Sequence, residues 1–331
     1  MRHRLTFPTA GLTLLIAAVL TWAPRAAQQI LATRDPDAAR LVTSDIQNFW
    51  RAFDAAPVTN IGALAAVFER EYFDAGSPGL RDFVRFRIET ARALAEAVAA
   101  RRRYYAAIRE TTLALDTNPN LKESIRGAFH RLKNLYPEAV FPDVYFLIGR
   151  LSTGGTASSA GLLIAVEMNA RGPGTPMNEL SDWERATIGQ VADLRYVVAH
   201  ELVHVQQRIR RDGSQTLLTN AIGEGAADFV GELISGRKNG NRVQHAYGNA
   251  RERALWEEFR REMHGTDSSR WLGQADRAVG RPADLGYYVG YKICEALYQA
   301  ASDKTDAVRT ILQITDADAF LRLSHYSGGG R

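Results

Sequence analysis

The segment "VVAHELVHVQQ", Val197 to Gln207, sets His200 and His204 four residues apart, with Glu201 directly after the first. On a helix of about 100° per residue, His204 lies near 40° and Glu201 near 100° from His200, so the three share one sector. Val191, Val198, Leu202, Val205 and Ile209 fall within about 20 to 40° of the opposite direction. The spacing predicts a helix anchored by an apolar stripe and presenting two imidazoles and a carboxylate on its other face. Side chains at i and i+4 stand one above the other, so two imidazoles can reach one small cation. Glu201, beside the cation rather than on it, can take a proton from an activated water and hand it to a leaving amine.

Chance alone yields the bare motif in roughly one chain of this composition per hundred. A third ligand makes the case stronger. Twenty positions after His204 stands Glu224, in "AIGEGAADF", and Asp228 follows four residues later on the same helix face. Requiring both acids at this distance reduces the coincidence to roughly one in ten thousand. "HELVHVQQRIR" lacks the glycine and third histidine of the other common ligand pattern.

These side chains need helices to carry them and a sheet to hold the helices. From Pro137 onward, "DVYFLIG" (143–149) and "GLLIAVEM" (161–168) are short apolar runs rich in strand formers. They read as two strands of a small sheet joined by a mobile loop, "RLSTGGTASSA", in the manner of a long hairpin. "GLLIAVEM" is then a candidate sheet edge for an extended peptide, and Glu167 at its end reads as a solvent-facing strand residue. The glycines of the loop lack the Lys-Ser/Thr and helix that would complete a phosphate loop. Helical patterns follow at about 182–210, 216–235, 241–264 and 285–302, the first opened by a Ser181 cap with Asp182 and Glu184 behind it.

The half before Pro137 is Ala- and Arg-rich and mainly helical, with breaks at "AAPVTN", "DAGSPG" and "DTNPN". "ARRRYY" (100–105) reads as a solvated helix face. The organisation expected is a signal peptide or membrane anchor over 1–27, a helical region over 28–136 and an α+β domain over 137–331. The first segment has a positive start, an uncharged run from Gly11 to Ala23 and small residues at Ala26 and Ala27. It predicts an extracytoplasmic protein, periplasmic or secreted, with membrane attachment if the segment stays uncleaved. Setting aside Arg2, Arg4 and Arg25 leaves 38 basic residues against 37 acidic, a balance that gives no reason to expect nucleic acid. The lone cysteine, Cys294, has no intrachain partner and reads as a small buried hydrophobe.

In order, "FPDVYFLIGR", "STGGTASSAGLLIAVEM", "VVAHELVHVQQ", "IGEGAADFV" and "GYYVGYKI" resemble the zinc-dependent peptidases related to the gliding-motility lipoprotein B family, over about 141–297. The resemblance implies a zincin-like fold, His200, His204 and Glu224 as zinc ligands, Glu201 as general base and Asp228 as the carboxylate orienting a ligand imidazole. The lipid-anchor cysteine of that family is missing here. Such a peptidase needs a group opposite the metal to hold the oxyanion, for which Tyr287, Tyr288, Tyr291 and His245 are the candidates. The Gly-Tyr-x-x-Gly pattern of the relatives falls on Tyr287. The expected activity is hydrolysis of a peptide or protein. The alternative is a non-catalytic envelope assembly or scaffold protein with a structural or vestigial metal site, against which the intact Glu201 argues.

Overall fold

The computed structural model describes residues 30–57, 59–209, 215–237 and 241–329; the expected export segment, 1–27, lies outside the described residues. No helix among the described residues is long and apolar enough to cross a membrane. The architecture mixes many helices with two small sheets. Strands β1 (Ala32–Thr33) and β3 (Phe141–Pro142) pair antiparallel. A four-stranded mixed sheet is built from β2 (Leu41–Val42), β4 (Val144–Leu147), β5 (Gly155–Ala157) and β6 (Leu162–Ala165), in the order β2-β4-β6-β5.

The two apolar runs are indeed strands, but they do not form a hairpin. β4 and β6 run parallel, with Val144 opposite Leu162 and Leu147 opposite Ala165. Parallel neighbours cannot be joined by a tight turn, so the chain passes over and comes down as β5 on the sheet's outer side. It then returns as β6 between the other two. The hairpin belongs to β5 and β6, closed by the Ser158 N–H on the Gly161 carbonyl (2.9 Å) and the Gly161 N–H on the Ser158 carbonyl (3.2 Å). β6 is therefore an interior strand, and β5, read from sequence as loop, is the edge.

β4 and β6 are buried along their whole length, which explains why they carry unbroken apolar sequence rather than alternation. Pleating divides the faces. Gly155, paired with Ile164, faces the helix Leu194–Gln206 (the histidine helix), whereas Tyr145, level with Leu163, faces the helix Pro78–Phe83 across Gly79. The half before Pro137 thus adds β2 to the same sheet and shares one continuous apolar cluster with the rest.

The run 100–105 is a solvated face at Arg102 and Arg103 but not at its tyrosines. The helix Ala91–Ala100 stops, another begins at Arg102, and Tyr104 and Tyr105 are fully buried. Arg101 pairs with Glu184 at 2.7 Å and Arg103 with Glu179 at 2.9 Å, so these arginines tie the N-terminal helices to the later half. Cys294 is buried, and burial pushes its thiol pKa up, consistent with an inert packing residue.

The expected helix over 182–210 divides. A short helix, Asp182–Thr187, carries the Ser181–Glu184 capping box. The chain then leaves helical geometry at Ile188, because the Gly189 N–H bonds the Met168 carbonyl (2.9 Å) and the Gly189 carbonyl takes the Arg171 N–H (3.1 Å). A 3-10 turn, Val191–Asp193, restarts the chain into the histidine helix. Val198 and Leu202 of the predicted stripe are fully buried, while Val191 and Ile209 lie beyond the helix ends. The helix Leu217–Ser235 (the acidic helix) and the helix Leu285–Ala300 (the tyrosine helix) follow expectation closely. The stretch 241–264 is two helices, Arg242–Asn249 and Glu252–Glu262.

Candidate metal centre

The acidic helix is the centre of the site, because it packs against both the histidine helix and the tyrosine helix. Its composition makes that possible. At Gly225 a Cβ would lie 2.0 Å from the Gly290 carbonyl carbon, and at Gly290 a Cβ would lie 1.7 Å from the Ala221 carbonyl oxygen. The two backbones touch, and any side chain at either position would force the helices apart. This crossing sets Tyr287, one turn before Gly290, beside the polar face of the histidine helix.

On that face the Nε2 atoms of His200 and His204 lie 3.0 Å apart. The Oε2 atom of Glu224 is 3.6 Å from the first and 3.2 Å from the second. A tetrahedral zinc ion with bonds of about 2.0–2.1 Å has ligand atoms about 3.3 Å apart, so the three donors stand where three tetrahedral vertices would be. Together these residues form a group that could hold a metal ion.

The outer nitrogens fix the direction of the lone pairs. His200 Nδ1 is 2.8 Å from Asp228 Oδ1, and His204 Nδ1 is 3.0 Å from the Gln207 side-chain oxygen. Gln207 is oriented by its own amide, which donates to the Gly223 carbonyl at 2.7 Å. With each Nδ1 donating outward, each Nε2 presents a lone pair to the shared point. Asp228, almost fully buried, also accepts from the Tyr196 hydroxyl, and at Oδ2 from the Asn241 amide at 2.7 Å.

The site is electronegative. Burial opposes charging His200, yet hydrogen bonds to Asp228 and Glu224 and the nearby carboxylates raise its pKa to about 10. An environment that retains a proton so strongly also favours a cation.

Glu201 is buried, at 7% exposure, and its carboxylate lies against β5. A Cβ on Gly155 would meet the Glu201 Cγ at 2.8 Å and Oε1 at 2.9 Å, so only glycine lets the edge strand approach this carboxylate.

The adjacent tyrosines separate. Tyr287 stacks on His200, with ring centroids 6.2 Å apart and planes 20° from parallel, and its hydroxyl is hydrogen-bonded with Glu224. Burial, followed by the charges of Glu224, Asp228 and Asp284, holds its pKa well above the usual value, so it is a neutral donor at physiological pH. Tyr288 is not brought to the cluster: its hydroxyl donates to Asn249 at 3.1 Å and its ring packs on His245. Tyr291 donates to Glu232 at 2.7 Å, and His245 sits against the Tyr288 and Tyr291 rings.

Glu167 does not face solvent. It is 1% exposed, because the strand ends at Ala165 and residues 166–169 form a 3-10 turn in which strand alternation no longer applies. One oxygen accepts the Leu151 N–H at 3.3 Å, and the other has no hydrogen-bond partner among the described residues. Burial raises its pKa to about 7.

Tyr196, Gln207, Asn241 and Gly155 are the site residues that sequence reading missed. Tyr196 is one helical turn before His200 and Gln207 three residues after His204, so the helical wheel carried a signal for both. Asn241 arrives from a separate helix start and Gly155 from a strand read as loop, and no local periodicity marks either.

No curated protein and no solved structure matches the chain. Residues 186–321, which contain His200, His204, Glu224, Asp228 and the tyrosine pair, are similar to the family described as "Predicted Zn-dependent protease (DUF2268)".

Proposed function

We propose that this chain is a zinc-dependent peptidase. The observation that carries the reading is the convergence of His200, His204 and Glu224 at tetrahedral spacing with Glu201 buried beside them. The description of the similar family supports the same reaction class. His200, His204 and Glu224 would hold the ion, with Asp228 and Gln207 fixing the imidazoles. When bound, zinc supplies Lewis acidity for a peptide carbonyl and lowers the pKa of a water to near neutrality.

The remaining work falls to the chain itself. Glu201 accepts the proton of the attacking water and delivers it to the departing amine. Tyr287, kept protonated by burial and then by the carboxylates around it, donates a hydrogen bond to the developing oxyanion. The open side of β5, next to Glu201, offers backbone N–H and C=O groups to an extended substrate. That role passes to β5 from the interior strand β6.

The test measures zinc content and cleavage of a peptide library by the full chain. Glu224→Ala and His204→Ala should each lose stoichiometric zinc, whereas Glu201→Gln should keep it and retain less than a few per cent of turnover. Full turnover by Glu201→Gln would sink the general-base role. Zinc bound one per chain with no cleavage by the wild type would favour the scaffold alternative.

A further inference from the structure

Beside the metal cluster lies a cavity of about 610 Å³. It borders the elements that carry the cluster at three places: Tyr196 and Val197, one turn before His200 and Glu201, and Gly154, next to the glycine on which the Glu201 carboxylate rests. Asn241, which holds Asp228, also lines it. Its volume suits several heavy-atom groups of a ligand. Met168, Trp183, Ile188 and Val197 give it apolar walls, which strengthen any charge interaction inside.

The charges in the wall do not cancel. Four arginines line the cavity: Arg171, Arg237, Arg242 and Arg281. Arg237 is paired with Asp193, and Arg281 with Glu258 at 2.9 Å. Of the three acids, Asp193 is consumed by Arg237, and Asp182 points outward and pairs with Arg185. Asp276, exposed, accepts the Trp183 N–H at the start of its helix. Arg171 and Arg242 remain, without an ion pair or side-chain hydrogen bond among the described residues. Arg242 is exposed at the rim, but Arg171 is partly buried, and its backbone is pinned by the Gly189 carbonyl. Of the arginines in the wall, Arg237 and Arg281 each have a carboxylate, whereas Arg171 has the cavity.

We propose that this cavity is a substrate subsite for a carboxylate, and that Arg171 is its specificity-determining residue. A guanidinium matches a carboxylate with two parallel hydrogen bonds, and desolvation by the apolar walls makes that pairing selective. The ligand is a peptide carrying an Asp or Glu side chain, or its terminal carboxylate, within reach of the scissile bond. The inference rests on the peptidase reading for its turnover measurement, though not for binding.

The test uses the zinc-loaded full chain and one core peptide in four forms: an internal Glu or Gln, each with a free or amidated C-terminus. Wild-type kcat/KM should favour one carboxylate over its neutral isostere by roughly tenfold or more. Preference for internal Glu assigns the side chain, and preference for the free terminus assigns the terminal group. Arg171→Gln should bring that ratio near one, Arg171→Lys should retain part of it, and Arg171→Glu should turn the preference toward an internal Lys. A wild-type ratio near one in both pairs, or a ratio that survives Arg171→Gln, overturns the proposal. Fluorescein-labelled versions titrated onto Glu201→Gln by anisotropy read the same preference without turnover. Carboxylate-dependent binding lost on adding Arg171→Gln, with no cleavage by the wild type, keeps the subsite and removes the peptidase reading. Cleavage and binding that are both indifferent to the carboxylate do the reverse.

Discussion

Asp228 and Glu167 are equally buried, each at 1% exposure, yet the fold treats them in opposite ways. Asp228 meets three side-chain donors, from His200, Tyr196 and Asn241. Glu167 meets backbone N–H groups on one side and nothing on the other oxygen. Burial alone makes a carboxyl hold its proton; donors aimed at it make it a charged anchor that can position another group. The difference between a site and an isolated buried acid therefore lies in the surrounding donors, and each residue can be changed to test that.

The largest effect expected is on the pH dependence of stability. Glu167 titrates near 7 when folded, against an ordinary value of 4.5. Between those values the unfolded chain releases the proton while the folded chain keeps it, so stability falls as pH rises from about 4.5 and levels off above about 7. The full loss is on the order of 3 kcal/mol. Glu167→Gln removes this component, whatever its own offset from leaving an amide hydrogen unpartnered. Urea denaturation at pH 5 and pH 8 should show a wild-type decline steeper than the variant's by most of that amount, the part due to His200 being common to both. Equal declines would mean that Glu167 ionises freely in the fold.

Next in size is the effect on metal. Asp228→Asn keeps the shape but removes the charge that orients His200, and zinc affinity should fall about 10- to 100-fold in competition with a chelator. Glu167→Gln, measured alongside, should leave affinity within about twofold, since Glu167 contacts no residue of the cluster. If the two variants bind zinc alike, the contrast between the acids has no functional content.

The same contrast shows what could be read from sequence. Glu224 and Asp228 were legible because an uninterrupted helix carries them, and 3.6-residue periodicity then fixes which residues share a face. The acidic and tyrosine helices themselves were equally accessible, being long and regular. Glu167 was misread because the rule applied to it, strand alternation, ends at Ala165. The burial of its carboxyl depends on Gly149, where a Cβ would lie 3.0 Å from Glu167 Oε1 and 2.8 Å from the Phe83 ring. That is a contact between distant segments. The β4–β6 pairing was hidden for a related reason: strand direction is decided by which neighbour a strand finds, and "STGGTASSA" contains a strand too short to show a period. The division of Tyr287 from Tyr288 likewise depends on the Gly225–Gly290 crossing, a tertiary contact.

The smallest effect separates the two histidines from each other. His200 leans on a carboxylate, His204 on the neutral amide of Gln207, itself held by the Gly223 carbonyl. Hydrogen bonds to an ionised acceptor are about twice as strong as those between neutral groups. If the support given to His204 is worth half that given to His200 in free energy, Gln207→Ala should weaken zinc binding by roughly 3- to 10-fold, the square root of the loss expected for Asp228→Asn. Because the two partners brace different imidazoles of one cluster, the double variant measures whether bracing is shared. Independent support predicts that the two losses multiply, and a cluster held as a unit predicts less than the product. The measurement is a chelator competition on the wild type, both single variants and the double variant at several pH values, because proton competition at His200 changes when the Asp228 carboxylate is removed. A Gln207→Ala loss equal to or greater than that of Asp228→Asn would show that charge on the supporting group is not what distinguishes this cluster from the buried acid at Glu167.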